Sequence, residues 1–160
     1  MIDEHSMQVV TILGAALSMG IGAIGPAYGL GFASSKACEA IAKQPQSAGK
    51  VVKMMLIGQA VTESPAIFAL LISFMLLFNK VENVGVIPLL AMIGSGICMG
   101  SGALGPGVGA GFANAAACEG VGRQPDRETL LLRTMLIGQA VSQSTSIYAL
   151  VIAFLLMFVK

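Results

Sequence analysis

MLIGQAVTESPAIFALL at residues 55–71 and MLIGQAVSQSTSIYALV at residues 135–151 are two versions of one phrase, set 80 residues apart. Their first seven residues are identical, and in that register Glu63 faces Gln143. The apolar run from Met54 to Asn79 holds one charged residue, Glu63, and the run from Thr134 to Val159 holds none. Two further runs without acid, lysine or arginine precede these, His5–Ser35 and Asn83–Cys118. Each of the four exceeds the roughly 20 residues needed to span a bilayer core. Alternating ten-residue runs of the membrane-barrel kind are absent. The fold class is therefore all-α: four transmembrane helices arranged as two tandem helical hairpins.

Composition supports this. Of 160 residues, 56% are hydrophobic and 11% charged, too few to coat a soluble domain. The net charge of +1 gives no reason to expect a nucleic-acid partner. Charge placement is more informative. Lys36, Lys43, Lys50 and Lys53 lie at or near one polar turn, and Arg123, Arg127 and Arg133 at another. Asp3, Glu4, Lys80, Glu82 and Lys160 lie at the opposite ends. The positive-inside rule then puts both turns in the cytoplasm and both termini outside. The first apolar run follows Asp3 and Glu4 rather than a basic region, so it reads as a retained helix and not a signal peptide. Cys38, Cys98 and Cys118 lack metal-ligand spacing, and no metal site is expected.

The 80-residue offset also aligns Gly25-Pro26 with Gly105-Pro106, Ala37-Cys38-Glu39 with Ala117-Cys118-Glu119, and Gln44-Pro45 with Gln124-Pro125. Self-similarity at a fixed period means one structural unit used twice. The unit is a helix, a polar turn and a second helix, giving hairpins at 1–80 and 81–160 in the same orientation. The first helix of each is glycine-rich, which lets backbones approach closely. GPGVGAG resembles a dinucleotide fingerprint only in letters, because no strand or βαβ unit surrounds it.

Glu63 is the one acid far from a terminus, turn or helix end. An ionised side chain at that depth costs about 2.5–3.5 kcal/mol on insertion scales. A carboxyl held neutral in the membrane and ionised beside a cation is a reversible ion carrier. The alternative is a protonated acid that only bonds neighbouring helices, a task an amide performs without the risk of ionising. Gln143 is that amide: it has the acid's shape, a donor and an acceptor, and no proton to release. Pro65 lacks an N–H, so the carbonyl of Val61 loses its helical partner and must find another donor or a compensating kink.

These residues resemble the c subunit of F-type ATP synthases, the proteolipid of the membrane rotor. The resemblance rests on the helices GIGAIGPAYGLG and GSGALGPGVGAG, the loops KQPQ and RQPD, and GQAVTES with GQAVSQS. It implies a homo-oligomeric ring and an ion-carrying carboxyl at Glu63. It further implies a stator a-subunit with an arginine, and central-stalk subunits gamma and epsilon meeting Lys43, Gln44, Pro45, Arg123, Gln124 and Pro125. The setting implied is a bacterial inner membrane with its lipids. As a non-catalytic subunit the chain needs no catalytic residue and no resident cofactor. Ser64 and Ser144 match the family's hydroxyl ligand. Sodium-binding rings have a glutamine four residues after the GP proline, where this chain has Leu30 and Ala110, so protons are favoured over sodium. The family's ion site also takes groups from the next hairpin, which implies that Glu63, with Val61 and Ser64 of its own helix, is completed by Val141, Ser144 and Tyr148 of an adjoining second repeat, and that the silent Gln143 fills the alternate interface. Fused hairpins with one lost carboxyl are also known in V-type proteolipids, the nearest alternative. A small proton-coupled exporter is a rival class, but it calls for an aromatic pocket, and the chain has no tryptophan and two tyrosines.

Overall fold

The computed structural model describes residues 4–79 and 85–159. Asp3, Lys80, Glu82, Lys160 and the expected hairpin boundary at 80/81 lie outside the described residues. Within them the chain is all helical: α1 (Glu4–Gly22), α2 (Ile24–Lys43), α3 (Ala48–Thr62), α4 (Ser64–Phe78), α5 (Val86–Arg123) and α6 (Glu128–Leu156). These make four spans long and apolar enough to cross a membrane, since α1–α2 and α3–α4 each form one interrupted span. The expected two hairpins are present. At 1.5 Å per residue α5 is roughly 57 Å long. That is nearly twice the hydrocarbon core, so its charged end projects beyond the apolar layer.

Proline explains the interruptions. Pro26 has no N–H for the carbonyl of Gly22, and α1 ends there; Pro65 has none for Val61, and α3 ends one residue later. The second repeat has Thr145 in the position of Pro65, and α6 runs on unbroken. Pro106, the twin of Pro26, stays inside a continuous α5. The polar turns have one design: Gln44 and Gln124 cap the preceding helix by donating N–H to Ala40 O (3.0 Å) and Gly120 O (2.8 Å). Pro45 and Pro125 then open short 3-10 turns, where a missing N–H costs nothing.

Within each hairpin, the helices are joined by the same two contacts. Ser18 Oγ donates to Ala69 O at 2.9 Å, and its twin Cys98 Sγ lies 3.7 Å from Ala149 O. Ser73 Oγ donates to Ala15 O at 2.9 Å in the first hairpin. In the second, Ser95 Oγ donates to Ala153 O at 2.7 Å, with the serine on the opposite helix. Such bonds matter in lipid, where no water competes for the carbonyl.

Between hairpins, α2 and α5 meet backbone to backbone. A Cβ added to Gly25 would overlap the main chain of Leu104, and one on Gly111 the main chain of Gly29. Nearer the polar turns, α3 meets α5 and α6 through side chains instead, with Val51, Met54, Cys118, Val121 and Met135 in one buried cluster. The outer faces carry leucine, isoleucine, valine and phenylalanine, as lipid contact requires.

Candidate functional site: a mid-span carboxyl and its amide twin

Glu63 and Gln143 lie in unlike surroundings. Gln143 is buried, 8% exposed, at the junction between the hairpins. Its Nε2 donates to Val61 O at 3.0 Å, the carbonyl that Pro65 deprives of a helical partner. Its Oε1 accepts from Ser146 Oγ at 3.3 Å. An amide and a helix break thus share the compensation that the sequence leaves open. One turn earlier, Gln139 is wholly buried, and its Nε2 reaches Gly58 O (3.1 Å), Thr62 Oγ1 (3.2 Å) and Ala110 O (3.0 Å).

Glu63 is the single residue between α3 and α4, itself in helical conformation (φ −79°, ψ −18°), where Pro65 interrupts the hydrogen-bond ladder, and it lies on the exposed side of the chain. Its N–H donates to Gln59 O at 3.1 Å. Ser64 beside it is half-buried. Val141 and Tyr148 are 68% and 66% exposed, on the side of α6 turned away from the first hairpin. Two residues are about 200° apart on a helix, so Gln143 faces inward while Val141 faces out. Ser144 Oγ donates to its own Val141 O at 2.7 Å. Within one chain, then, Val61 and Gln143 are brought together, whereas Glu63 is not joined to Val141, Ser144 or Tyr148. Phe68, the tyrosine's counterpart, packs against the buried cluster of Ala69 and Ile72.

Lys43, Gln44, Arg123 and Gln124 are exposed at the turn end. Lys43, Gln44 and Arg123 line a cavity of about 160 Å³ with Ala40, Glu119 and Gly122. Pro45 and Pro125 open the two turns beside it. Among the described residues no group of three His, Cys, Asp or Glu is placed to hold a metal.

Three junction contacts lie beyond what the sequence pattern reveals. Lys53 pairs with Glu128 (2.9 Å), Lys50 Nζ donates to Pro125 O (2.9 Å), and Asn114 Nδ2 donates to Met55 O (3.2 Å). Gln139 belongs with them, although a second amide one turn before Gln143 in an apolar run was a signal for it.

A duplicated membrane hairpin with one mid-span carboxyl at a helix break, and an amide in the twin position, defines an ion-carrying proteolipid. The chain belongs to the ATP synthase C-subunit family, which matches it twice, at residues 13–76 and 93–156. It is 47% identical over 74 residues to the second ATP synthase c subunit of Cereibacter sphaeroides, covering 46% of this chain and 89% of that protein. It is 54% identical over 66 residues to the ATP synthase c subunit of Alkaliphilus oremlandii, 41% and 74% of the two lengths. The c subunit of the Mesomycoplasma hyopneumoniae ATP synthase is 41% identical over 76 residues, 48% and 74%. Each alignment covers less than half of this chain but most of the relative, as two hairpins against one require. The chain is a membrane rotor-ring subunit of the ATP synthase type, here in tandem form.

Proposed function

We propose that Glu63 carries protons by reversible protonation as the ring turns, and that Gln143 marks a silent position. The carrying observation is the contrast in placement: Glu63 lies at an exposed helix break, while Gln143 is buried and committed to Val61 O. Glu63 is completed by Val141, Ser144 and Tyr148 of an adjoining second repeat, with Ser64 beside it. The exposure of Val141 and Tyr148 supports this, because their face is open in a single chain. Protons rather than sodium ions are the cargo, since Leu30 and Ala110 supply no side-chain oxygen.

The remaining parts are proposals of the same kind. Glu63 ionises only beside the arginine of a stator a-subunit, which ties ion flow to rotation. The turns at Lys43, Gln44, Pro45 and Arg123, Gln124, Pro125 meet central-stalk subunits gamma and epsilon. They face the cytoplasm of a bacterial plasma membrane, with both termini outside and lipid against the apolar faces. A potential of 100 mV contributes ~2.3 kcal/mol per charge moved across the membrane.

Glu63→Gln tests the carrier role. The variant should assemble, because Gln143 shows that an amide fits the twin position, and proton translocation in vesicles should vanish. Persistent pumping by assembled rings would overturn the assignment.

A further inference from the structure

The internal junction is a template for the contact between copies. On its second-repeat side, Gln139 Nε2 serves Gly58 O and Thr62 Oγ1 across the junction and Ala110 O on its own side. The 80-residue offset carries these groups to Gln59, Gly138, Ser142 and Leu30. The chemistry is kept: an amide, a glycine carbonyl, a hydroxyl and a main-chain carbonyl. Yet in one chain these groups are not assembled. Gln59 is half-buried, and its Nε2 donates to Ser34 Oγ at 2.7 Å, which engages one of its two amide hydrogens.

The glycines show the same asymmetry. A Cβ on Gly58 would strike the side chain of Asn114, whose twin is Ser34. A Cβ on Gly138, twin of Gly58, would meet nothing within 4 Å. Gly31 and Gly105 are equally open, while their twins Gly111 and Gly25 are pressed against Gly29 and Leu104. The open faces are thus the two halves of a junction that the chain has already made once inside itself. Continuity with that junction identifies the occupant as a second copy of this chain.

We propose that the second hairpin of one copy seats on the first hairpin of the next in the register of the internal junction, and that Gln59 there turns its remaining amide hydrogen to Gly138 O and Ser142 Oγ of the second copy, which share it, as a positioning residue for Glu63. This rests on the ring reading above. Gln59 O accepts the Glu63 N–H, so pinning Gln59 fixes the rotation and depth at which Glu63 meets Val141 and Tyr148. The lysine links of the internal junction do not carry over. Lys53 and Glu128 map to Arg133 and Ala48, which leaves no acid for the pair, and Lys50 maps to Leu130. Gln59 is then the side-chain amide that holds the working junction beside the carboxyl.

The test uses the assembled synthase in native membranes, with Cys38, Cys98 and Cys118 replaced by alanine. Asn114 Cγ lies so close to the Cβ position of Gly58 that cysteines at the twin positions fall within disulfide reach. Ser34→Cys with Gly138→Cys should therefore give, on mild oxidation, a ladder of chain multiples that neither single variant gives. Rings of native mass without a ladder overturn the register. Absence of any ring in the unsubstituted protein overturns the rotor-ring reading instead. For the positioning role, Gln59→Met rings of native mass should show a carbodiimide labelling profile of Glu63 displaced from that of the unsubstituted ring. An unmoved profile in such rings overturns the role. Should Gln59→Met rings fail to assemble, Ser142→Ala is read in the same assay with the same two outcomes, since among the described residues its hydroxyl is held within its own chain by a long bond to Pro106 O at 3.4 Å.

Discussion

Replacing Gln143 by leucine removes the side-chain donor that, among the described residues, reaches Val61 O, and it does so beside a proline that has already withdrawn the main-chain donor four residues on. The magnitude follows from what is left behind. A buried acceptor stripped of its partner costs about 1–3 kcal/mol. In membranes the unfolded reference state also finds partners, and measured values fall to about 0.6, with a ceiling near 1.7 kcal/mol. The lower range applies here, because Val61 lies at a helix break that can adjust, so the expected loss is about 1 kcal/mol. Pro65→Ala supplies a second route to the same carbonyl, since an alanine there carries the missing N–H. Gln143→Leu should therefore cost more in the parent protein than in the Pro65→Ala background, with a coupling of about 1 kcal/mol. A double-mutant cycle on detergent-unfolding midpoints of the purified protein measures it. Equal losses in both backgrounds would show that Gln143 stabilises the junction by packing alone.

Two further outcomes concern the ion. Carbodiimide labelling of Glu63 should accelerate as pH falls and be indifferent to sodium; protection by millimolar sodium at neutral pH would identify sodium as the cargo. Tyr148→Phe should move that labelling profile to lower pH, because the neutral carboxyl loses a hydrogen bond with a net worth of about 0.5–1.5 kcal/mol. An unchanged profile would detach Tyr148 from the site.

The architecture was legible because the governing signals are one-dimensional. Apolar run length sets the spans, and a constant offset sets the repeat, so both could be read without coordinates. The lone position of Glu63 was equally plain. What the sequence withheld depends on rotation about a helix axis. Val141 and Gln143 are two residues apart, and only the packed structure shows that Gln143 turns toward Val61 while Val141 turns outward. Proline behaved unevenly: Pro26 and Pro65 accompany helix breaks, whereas Pro106 sits in a continuous helix whose neighbours pack closely around it. The helices also run past the uncharged stretches, as α2 does to Lys43, because charged residues beyond the apolar layer keep helical geometry.

The serine bonds inside the hairpins carry a lesson about reading duplicated chains. In one repeat the hydroxyl at Ser73 reaches across to Ala15; in the other the hydroxyl has crossed over, and Ser95 reaches back to Ala153. Compared letter by letter, positions 15 and 95 disagree, and so do 73 and 153. Compared as pairs, they are the same rung seen from either side of the ladder. The rung is common to both repeats with its end groups exchanged, so a residue-by-residue score counts two differences where each pair supplies one hydroxyl-to-carbonyl bond.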